Sequence, residues 1–526
     1  MKVFVADDVN EEKLAPLRDA GINVVIKTKL VGDALAAQMA DADGVIVRSA
    51  TKITAELMDA APNLRVIGRA GVGVDNIDVR AATKRGIVVM NAPDGNTITT
   101  AEHTIALLVS MARNVPQAHA KLQNGEWDKK SFVGVELNGK TLGVVGLGRI
   151  GKHVAQIARG FGMQIVAFDP FISPDQAKEL GIELDALNGV FARADFITIH
   201  TPVTDETRGI IGKEAFAKMK KGVRIVNCAR GGLVDETALL EAMDNGTVAT
   251  AALDVFSTEP LPADSPLLGR PNVITTPHLG ASTTEAQEGV ALTVAEQMRD
   301  YLISGTLRGA VNAPSMAAAE VEALQPYMDL AEKLGRFQAQ VVAEGAISEV
   351  RLEYTGELAD RDASSVTRAF LAGLLRDVSA RINVVNALLI AEERGIRITT
   401  SYTKSIKATN ADIRTAVTSG IGEQTVSGLV SADGEGRITE IGSFSIEAVP
   451  HGCMLVTKNR DVPGVIGQLG TTLGEAGVNI SRFYLGRQEK GGEALAVIEI
   501  DSPLDDTVLD QLRKIDAVVL VKQVRL

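Results

Sequence analysis

Cysteine is almost absent: the 526 residues hold two, Cys228 and Cys453. Two thiols cannot build a disulfide framework or a cysteine-rich zinc site, so no metal is expected and a reducing, cytoplasmic setting fits best. A basic excess is missing too. The 54 Lys and Arg residues face 66 Asp and Glu, a formal charge of −12. That balance argues against nucleic acid or an anionic membrane as the main partner, although a local basic pocket for a small anion is compatible with it. No apolar run approaches the ~20 residues of a membrane span; "TIALLVSMA" is short and is interrupted by Ser110. The opening "MKVFVADDVN" lacks the long apolar core and cleavage site of a secretory signal and reads as a strand and its loop. Short-period repeats and low-complexity tracts are absent. Histidine is scarce, with six in all: His103, His119, His153, His200, His278 and His451.

What is present alternates in type. At this length, three or four domains of ~100–200 residues each are expected. Over the first three hundred residues, short β-branched runs alternate with helical patterns. "KVFVADD", "INVVIKT", "DGVIVRS", "LRVIGRA" and "GIVVMNA" come first, followed by a long helical stretch, "TAEHTIALLVSMARNVPQAHAKLQNG", ending near Gly125. A second series follows: "TLGVVG", "QIVAFD", "DFITIH", "VRIVNC", "TAALDV" and "NVITTP". This order predicts α/β architecture with two doubly wound, Rossmann-like units. The first comprises 1–97 plus 285–312, because the helix after Ser282 is expected to pack back on it; the second comprises 98–284. Past "NAPSM" the pattern changes to an α+β unit at 317–448. There, one helical segment over 364–395 and another from Ala317 flank the strand "ISEVRLEYTGE", and a hairpin turns at Asp433-Gly434. Residues 452–526 read β-α-β-β-α-β, a ferredoxin-like split βαβ.

The second unit opens with Gly146-x-Gly148-x-x-Gly151, which closes an apolar strand and begins a helix. In that context the motif binds a dinucleotide. Gly146 permits the tight turn, Gly148 admits the pyrophosphate, Gly151 lets helix and strand pack, and the helix N-terminus attracts the anion. Asp169 ends the next strand, about 20 residues on, where a carboxylate accepts from ribose hydroxyls and repels a 2′-phosphate. No arginine follows in "PFIS", so NAD is expected rather than NADP.

Three later strands of this unit end in chemistry-bearing residues: Arg230 after "VNCA", Asp254 and Glu259 in "LDVFSTEP", and His278 in "TTPHLG". Ligands of open α/β sheets bind outside the carboxyl ends of the strands. An imidazole there suits removal of a hydroxyl proton, a carboxylate can orient it, and an arginine can fork onto a substrate carboxylate.

"GLGRIG", "NCARGGLVDE", "LDVFSTEP" and "TPHLGAST", in this order and spacing, resemble the D-isomer-specific 2-hydroxyacid dehydrogenases. The resemblance implies Arg230 as substrate binder and His278 with Glu259 as the acid/base pair. It implies cofactor contacts from Arg149, Ile150, Asp169, Thr201, Cys228, Arg230, Asp254 and the loop His278 to Gly280. "GRAGVGVDNID" looks like the family's substrate-side turn. There the N–H groups of Val72, Gly73 and Val74 would cradle a carboxylate or approach the nicotinamide. The last segment, with "NRDVPGVIGQLGTTLGEAGVNI", resembles an ACT domain, an amino-acid-sensing module.

Taken over the whole chain, the arrangement is similar to the long, four-domain branch of that family, with an intervening domain before the ACT domain. That branch implies oxidation of 3-phospho-D-glycerate to 3-phosphooxypyruvate, the first committed step of serine synthesis, with serine as effector in a homotetramer. Arg48 and Arg69 would then contact phosphate and carboxylate. Lys129, with Lys130, would reach a neighbouring subunit's site. Asn459, Asp461 and Asn479 would bind serine. Two other readings share these residues: a glyoxylate or hydroxypyruvate reductase of the same family, and a non-catalytic NAD-sensing interaction protein. The appended domains with Arg48 and Arg69 argue against the first, and the full Arg, Glu and His set against the second.

Overall fold

A computed structural model describes residues 1–314, 318–341, 345–379, 381–404, 412–420 and 422–526. The expected opening of the third unit, Ala317, lies outside them. In the first unit, β1 (Lys2–Val5), β2 (Asn23–Ile26), β3 (Gly44–Val47), β4 (Val66–Arg69) and β5 (Val88–Asn91) form one parallel sheet in the order β2-β1-β3-β4-β5. The β-branched runs of β1, β3, β4 and β5 are buried on both faces, as a doubly covered parallel sheet requires, and only the edge strand β2 is partly exposed. The helix Thr284–Ser304 returns to this sheet and buries Val290, Val294, Met298 and Leu302 with Val66 and Val88. Its approach is close: a Cβ at Gly68 would lie 2.5 Å from the Met298 sulfur.

The second unit holds β6 (Thr141–Val145), β7 (Gln164–Phe168), β8 (Glu183–Leu184), β9 (Phe196–Ile199), β10 (Val223–Asn227), β11 (Val248–Leu253) and β12 (Val273–Thr275). All pair in parallel, in the order β12-β11-β10-β9-β6-β7-β8. The chain reverses direction across the sheet between β6 and β9, which opens the crevice where such sheets bind ligands. The edge strand β8 is not expected from the sequence; with two residues it carries no readable period. Arg230, Asp254 and His278 therefore follow the fifth, sixth and seventh strands, not the fourth to sixth.

The single helix expected to end near Gly125 is two. Thr97–Arg113 stops at Asn114, whose φ of 52° is left-handed, and Val115–Gln123 restarts with a proline in its first turn. Asn is one of the few residues that adopt this conformation readily, and Pro116 cannot donate to a continuing helix.

In the third unit, β13 (Glu349–Thr355), β14 (Arg397–Thr403), β15 (Ile413–Ser419), β16 (Gly422–Val430), β17 (Gly436–Ile441) and β18 (Phe444–Ala448) form a sheet of order β14-β13-β15-β16-β17-β18. Only β13 and the β16–β17–β18 stretch are visible in the sequence pattern; β14 is largely exposed and lacks alternation. The helix expected over 364–395 is interrupted. Ser364–Leu374 and Ala387–Glu393 are helical, and between them the chain loops out to the first unit. The reason is local competition plus a tertiary pocket. Asn386 Oδ1 accepts from Asn383 N at 2.8 Å, Asn383 Nδ2 donates to Gly86 O at 2.9 Å, and Val385 enters the first unit's core.

The fourth unit is a four-stranded antiparallel sheet of β19 (Cys453–Arg460), β20 (Ile480–Arg487), β21 (Glu493–Ile500) and β22 (Val518–Arg525), in the order β20-β21-β19-β22. Helices Val465–Glu475 and Asp506–Arg513 cover one face. Met454, Val456, Leu495, Val497 and Val524 on the other join the third unit's core.

Candidate active site

The turn after β6 has the form a pyrophosphate needs. Gly146 has φ 96°, and a Cβ there would sit 2.6 Å from the His200 carbonyl oxygen. A Cβ at Gly151 would fall 2.0 Å from the Gly146 oxygen, so any larger residue would force the helix Arg149–Gly160 away from the strand. Gly148, by contrast, faces open space where a phosphate could approach. The buried Thr201 hydroxyl beside this turn has no partner among the described residues. Asp169 Oδ2 accepts from Leu147 N at 2.7 Å and Oδ1 from Phe171 N at 2.8 Å, so the carboxylate holds the turn and keeps further lone pairs for ribose hydroxyls. Arg149 reaches across to Asp94 at 2.7 Å. Ile150 packs half-buried against the unit's core. Cys228 is buried there as well, and burial pushes its thiol up to about 12, which keeps it neutral. These residues fit a bound dinucleotide.

His200, behind the turn, is half-buried with its Nδ1 shielded from solvent, and desolvation lowers its pKa to about 3. The unfolded imidazole gains a proton near its ordinary 6.5 and the folded one does not. Stability from this site is therefore complete above pH 6.5 and declines as pH falls toward about 3. Replacing His200 with Asn is expected to make the loss of thermal stability between pH 6.5 and 5 shallower, by about 2 kcal/mol over the interval. Equal slopes in melts of the two proteins would refute it.

At the carboxyl ends of β11 and β12, His278 Nδ1 and Glu259 Oε2 lie 2.7 Å apart. Glu259 Oε1 accepts from Phe256 N at 3.0 Å, which locks the carboxylate's orientation. Burial pushes the Glu259 pKa up, but the His278 contact, the Phe256 N–H and attraction to His278 outweigh it, leaving the carboxyl below its usual value. His278 Nε2 has no hydrogen-bond partner among the described residues. The His278 backbone has φ 54°, which only a braced segment holds in a non-glycine residue. The brace is Asp254. Its carbonyl accepts from His278 N at 2.9 Å, and its fully buried carboxylate accepts from Thr276 Oγ1, Leu279 N and Gly280 N at 2.6, 2.7 and 2.8 Å.

Arg230 is presented by a turn that the buried Asn227 shapes: Asn227 Nδ2 donates to Arg230 O at 2.9 Å, and its Oδ1 accepts from Ala229 N at 3.0 Å. A Cβ at Gly231 would lie 1.8 Å from the Phe256 oxygen, so the Arg230 and Glu259 loops run against each other. Across the cleft Arg230 Nε meets Asp75 at 3.2 Å, and a Cβ at Gly73 would lie 2.1 Å from Arg230 Nη2. Arg69 lies on the same turn. Burial first, then repulsion from Arg230 and Arg48, lowers its pKa to about 10, and its buried Nε has no partner among the described residues. The N–H groups of Val72, Gly73 and Val74 likewise donate to no described group. Two guanidiniums, those of Arg69 and Arg230, and three N–H groups without a described partner lie around one turn that also carries Asp75, an arrangement that could take an anion.

The NAD-binding domain of the D-isomer specific 2-hydroxyacid dehydrogenases matches residues 105–280, the D-3-phosphoglycerate dehydrogenase intervening domain 323–442, and the ACT domain 454–517. D-3-phosphoglycerate dehydrogenase of Methanocaldococcus jannaschii is 45% identical over 98% of this chain and 98% of its own length. The Bacillus subtilis D-3-phosphoglycerate dehydrogenase is 43% identical over 100% and 99%. The chain belongs to the D-3-phosphoglycerate dehydrogenase family. It is an NAD-dependent dehydrogenase with a C-terminal ACT domain. The dehydrogenase fold extends beyond this family: a glyoxylate reductase structure from Paecilomyes thermophila superposes with a TM-score of 0.54 at 32% identity, covering 59% of this chain and 98% of that one.

Not every residue expected at a phosphoglycerate dehydrogenase site converges within one chain. Arg48 Nη1 is turned to Asp8 O at 3.1 Å, yet it stays near enough to Arg69 to repel it. Lys129 is exposed and makes no hydrogen bond or ion pair with a described residue; it lies on a loop that Asp128 ties to Lys121. In the ACT domain, Asp461 accepts from Gly491 N, and Asn459 is buried with its amide on Arg460 O. Asn479 donates to Asp501 at 2.9 Å. The pairings Asn459↔Ala494 and Ile480↔Ile500 place Asn479 at the opposite end of the sheet from the other two, ~20 Å away at ~3.4 Å per residue. Residues the sequence reading passed over are His103, Asn227, Asp75 and Asp94. His103, Asp75 and Asp94 act through contacts of long sequence separation, for which no motif exists, whereas Asn227 acts within its own turn, on Ala229 and Arg230.

Proposed function

We propose that this chain oxidises 3-phospho-D-glycerate to 3-phosphooxypyruvate. The observation that supports the reading is the His278–Glu259 pair on one loop, with Arg230 on the loop packed against it and Arg69 and Arg48 within electrostatic reach of one another. The substrate has two anionic ends. Arg230 and the N–H groups at Val72, Gly73 and Val74 take the carboxylate; Arg69 and Arg48 take the phosphate. His278 Nε2 then accepts the proton of the C2 hydroxyl, and Glu259 stabilises the imidazolium that results. NAD, when bound, supplies the acceptor for the hydride leaving C2. Gly146, Gly148, Gly151, Arg149, Ile150 and Thr201 would hold its pyrophosphate side, Asp169 its ribose, and Cys228, Asp254 and Gly280 would lie beside the nicotinamide.

The test is a substrate panel with NAD. Turnover on 3-phosphoglycerate should exceed that on glycolate and glycerate by about 10²-fold or more in kcat/KM, because the smaller acids leave the half-buried cations without their anionic partner. A preference for an unphosphorylated acid would refute this reading in favour of a glyoxylate or hydroxypyruvate reductase.

Self-association into a homotetramer belongs to the same proposal. Trp127 and Val133 are 86% and 83% exposed on the arm that carries Lys129, a surface suited to a second copy's cleft. Serine is the proposed ACT effector. With Asn479 remote from Asn459 and Asp461 in one chain, an effector touching all three would bridge two copies. No helix among the described residues is long and apolar enough to cross a membrane; the acidic balance and two free thiols support a cytoplasmic setting.

A further inference from the structure

His103 lies on the helix Thr97–Arg113, in no motif, and touches neither the dinucleotide turn nor the arginine cluster. Its Nε2 is 3.2 Å from Asp254 Oδ1 and 3.3 Å from Thr276 Oγ1. The same helical turns supply two more contacts to the segment that carries His278. Thr100 Oγ1 donates to Gly280 O at 2.9 Å, and the Thr99 and Thr283 hydroxyls are 3.3 Å apart. One face of one helix thus grips the catalytic segment at both ends.

Asp254 is the centre of that grip. Its carboxylate is fully buried, and among the described residues His103 is the basic side chain that reaches it. A buried carboxylate left without a compensating partner is costly, and the usual relief is to take up a proton or to turn toward water. Either change would release Leu279 N and Gly280 N, the two amides that follow His278. The left-handed backbone at His278 would then lose its brace, and the imidazole its fixed angle to Glu259. Consistent with this, burial raises the Asp254 pKa but the His103 contact, the Thr276 hydroxyl and the Leu279 N–H more than offset it, so the group stays ionised.

We propose that His103 is a positioning residue for the dehydrogenase reaction: through Nε2 it pairs with Asp254 and holds segment 276–280 so that His278 faces the cleft at a fixed angle. The proposal rests on His278 being the acid/base, as stated above.

Two polar replacements separate this from simple space filling. Glutamine can place an amide N–H where Nε2 stands, whereas asparagine reproduces only the Nδ1 position. His103→Asn is expected to lower kcat on 3-phosphoglycerate about tenfold or more, since small misplacement of a reacting group is expensive. KM for 3-phosphoglycerate should stay within about twofold. His103→Gln should recover most of kcat. In the protein without substrate or NAD, hydrogen exchange at Leu279 and Gly280 should quicken in the Asn variant and not in the Gln variant, with the rest of the chain unchanged. Equal behaviour of the two variants, or exchange that rises throughout the chain, overturns the proposal. Because exchange is read without substrate, its outcome is independent of whether His278 is the base.

Discussion

Replacing His278 with alanine is expected to lower turnover by about 10²–10⁴-fold, or about 3–5 kcal/mol in the barrier, with the fold intact. The expectation comes from the pair's geometry. Nδ1 is taken by Glu259 at 2.7 Å, so the proton accepted from substrate must go to Nε2. Among the described residues, neither of the histidines nearest this segment can substitute. His103 is committed to Asp254, and His200 lies behind the turn with its pKa lowered to about 3. Glu259→Gln should cost less, because the amide can still orient the ring but cannot balance the imidazolium charge. The Glu259 carboxyl is held below 4.5, so its charge is present above that value and is lost only as pH falls through the lowered pKa. The Gln variant's deficit should therefore be constant across neutral pH. Steady-state kinetics settle both points; a His278→Ala enzyme within about tenfold of the parent would exclude the mechanism.

The second large effect is at Arg230. Arg230→Ala should lower kcat/KM for 3-phosphoglycerate by about 10²–10³-fold, the scale for deleting one partner of a hydrogen-bonded charge pair. Arg230→Lys should recover little of it, since a point charge cannot reproduce a planar fork. Three consequences of the structure sharpen the expectation. Arg230 is held by its own backbone neighbour, donating to Ala229 O at 2.7 Å, so the fork is preset. It also holds Asp75 across the cleft, and its loss leaves that carboxylate beside the substrate's own negative end. Finally, it contributes to the positive field that depresses Arg69. Thermal melts should show both variants folded, because Arg230 is largely a cleft residue. An Arg230→Lys enzyme with kcat/KM near the parent's would remove the fork from the mechanism.

Much of this was readable before any coordinate. The parallel strands announced themselves because doubly covered strands must be short and β-branched, and Gly146, Gly148 and Gly151 because only glycine fits where a Cβ would strike backbone. Other elements hid. The strand β14 has no alternation to read, and β8 is two residues long. The break before Ala387 depends on Gly86, almost three hundred residues earlier, and on a hydrophobic pocket that accepts Val385.

The sequence by itself determined the order of units, the dinucleotide turn and the identity of Arg230, Glu259 and His278. Those depend on short-range sterics and residue chemistry, which act within a few positions of the chain. Tertiary structure alone decided three things: that Glu259 meets Nδ1 of His278, that Arg69 lies half-buried within electrostatic reach of Arg230, and that Asp254 is answered by His103. These contacts join residues from 19 to more than a hundred positions apart, and only the packed cores on either side bring them together.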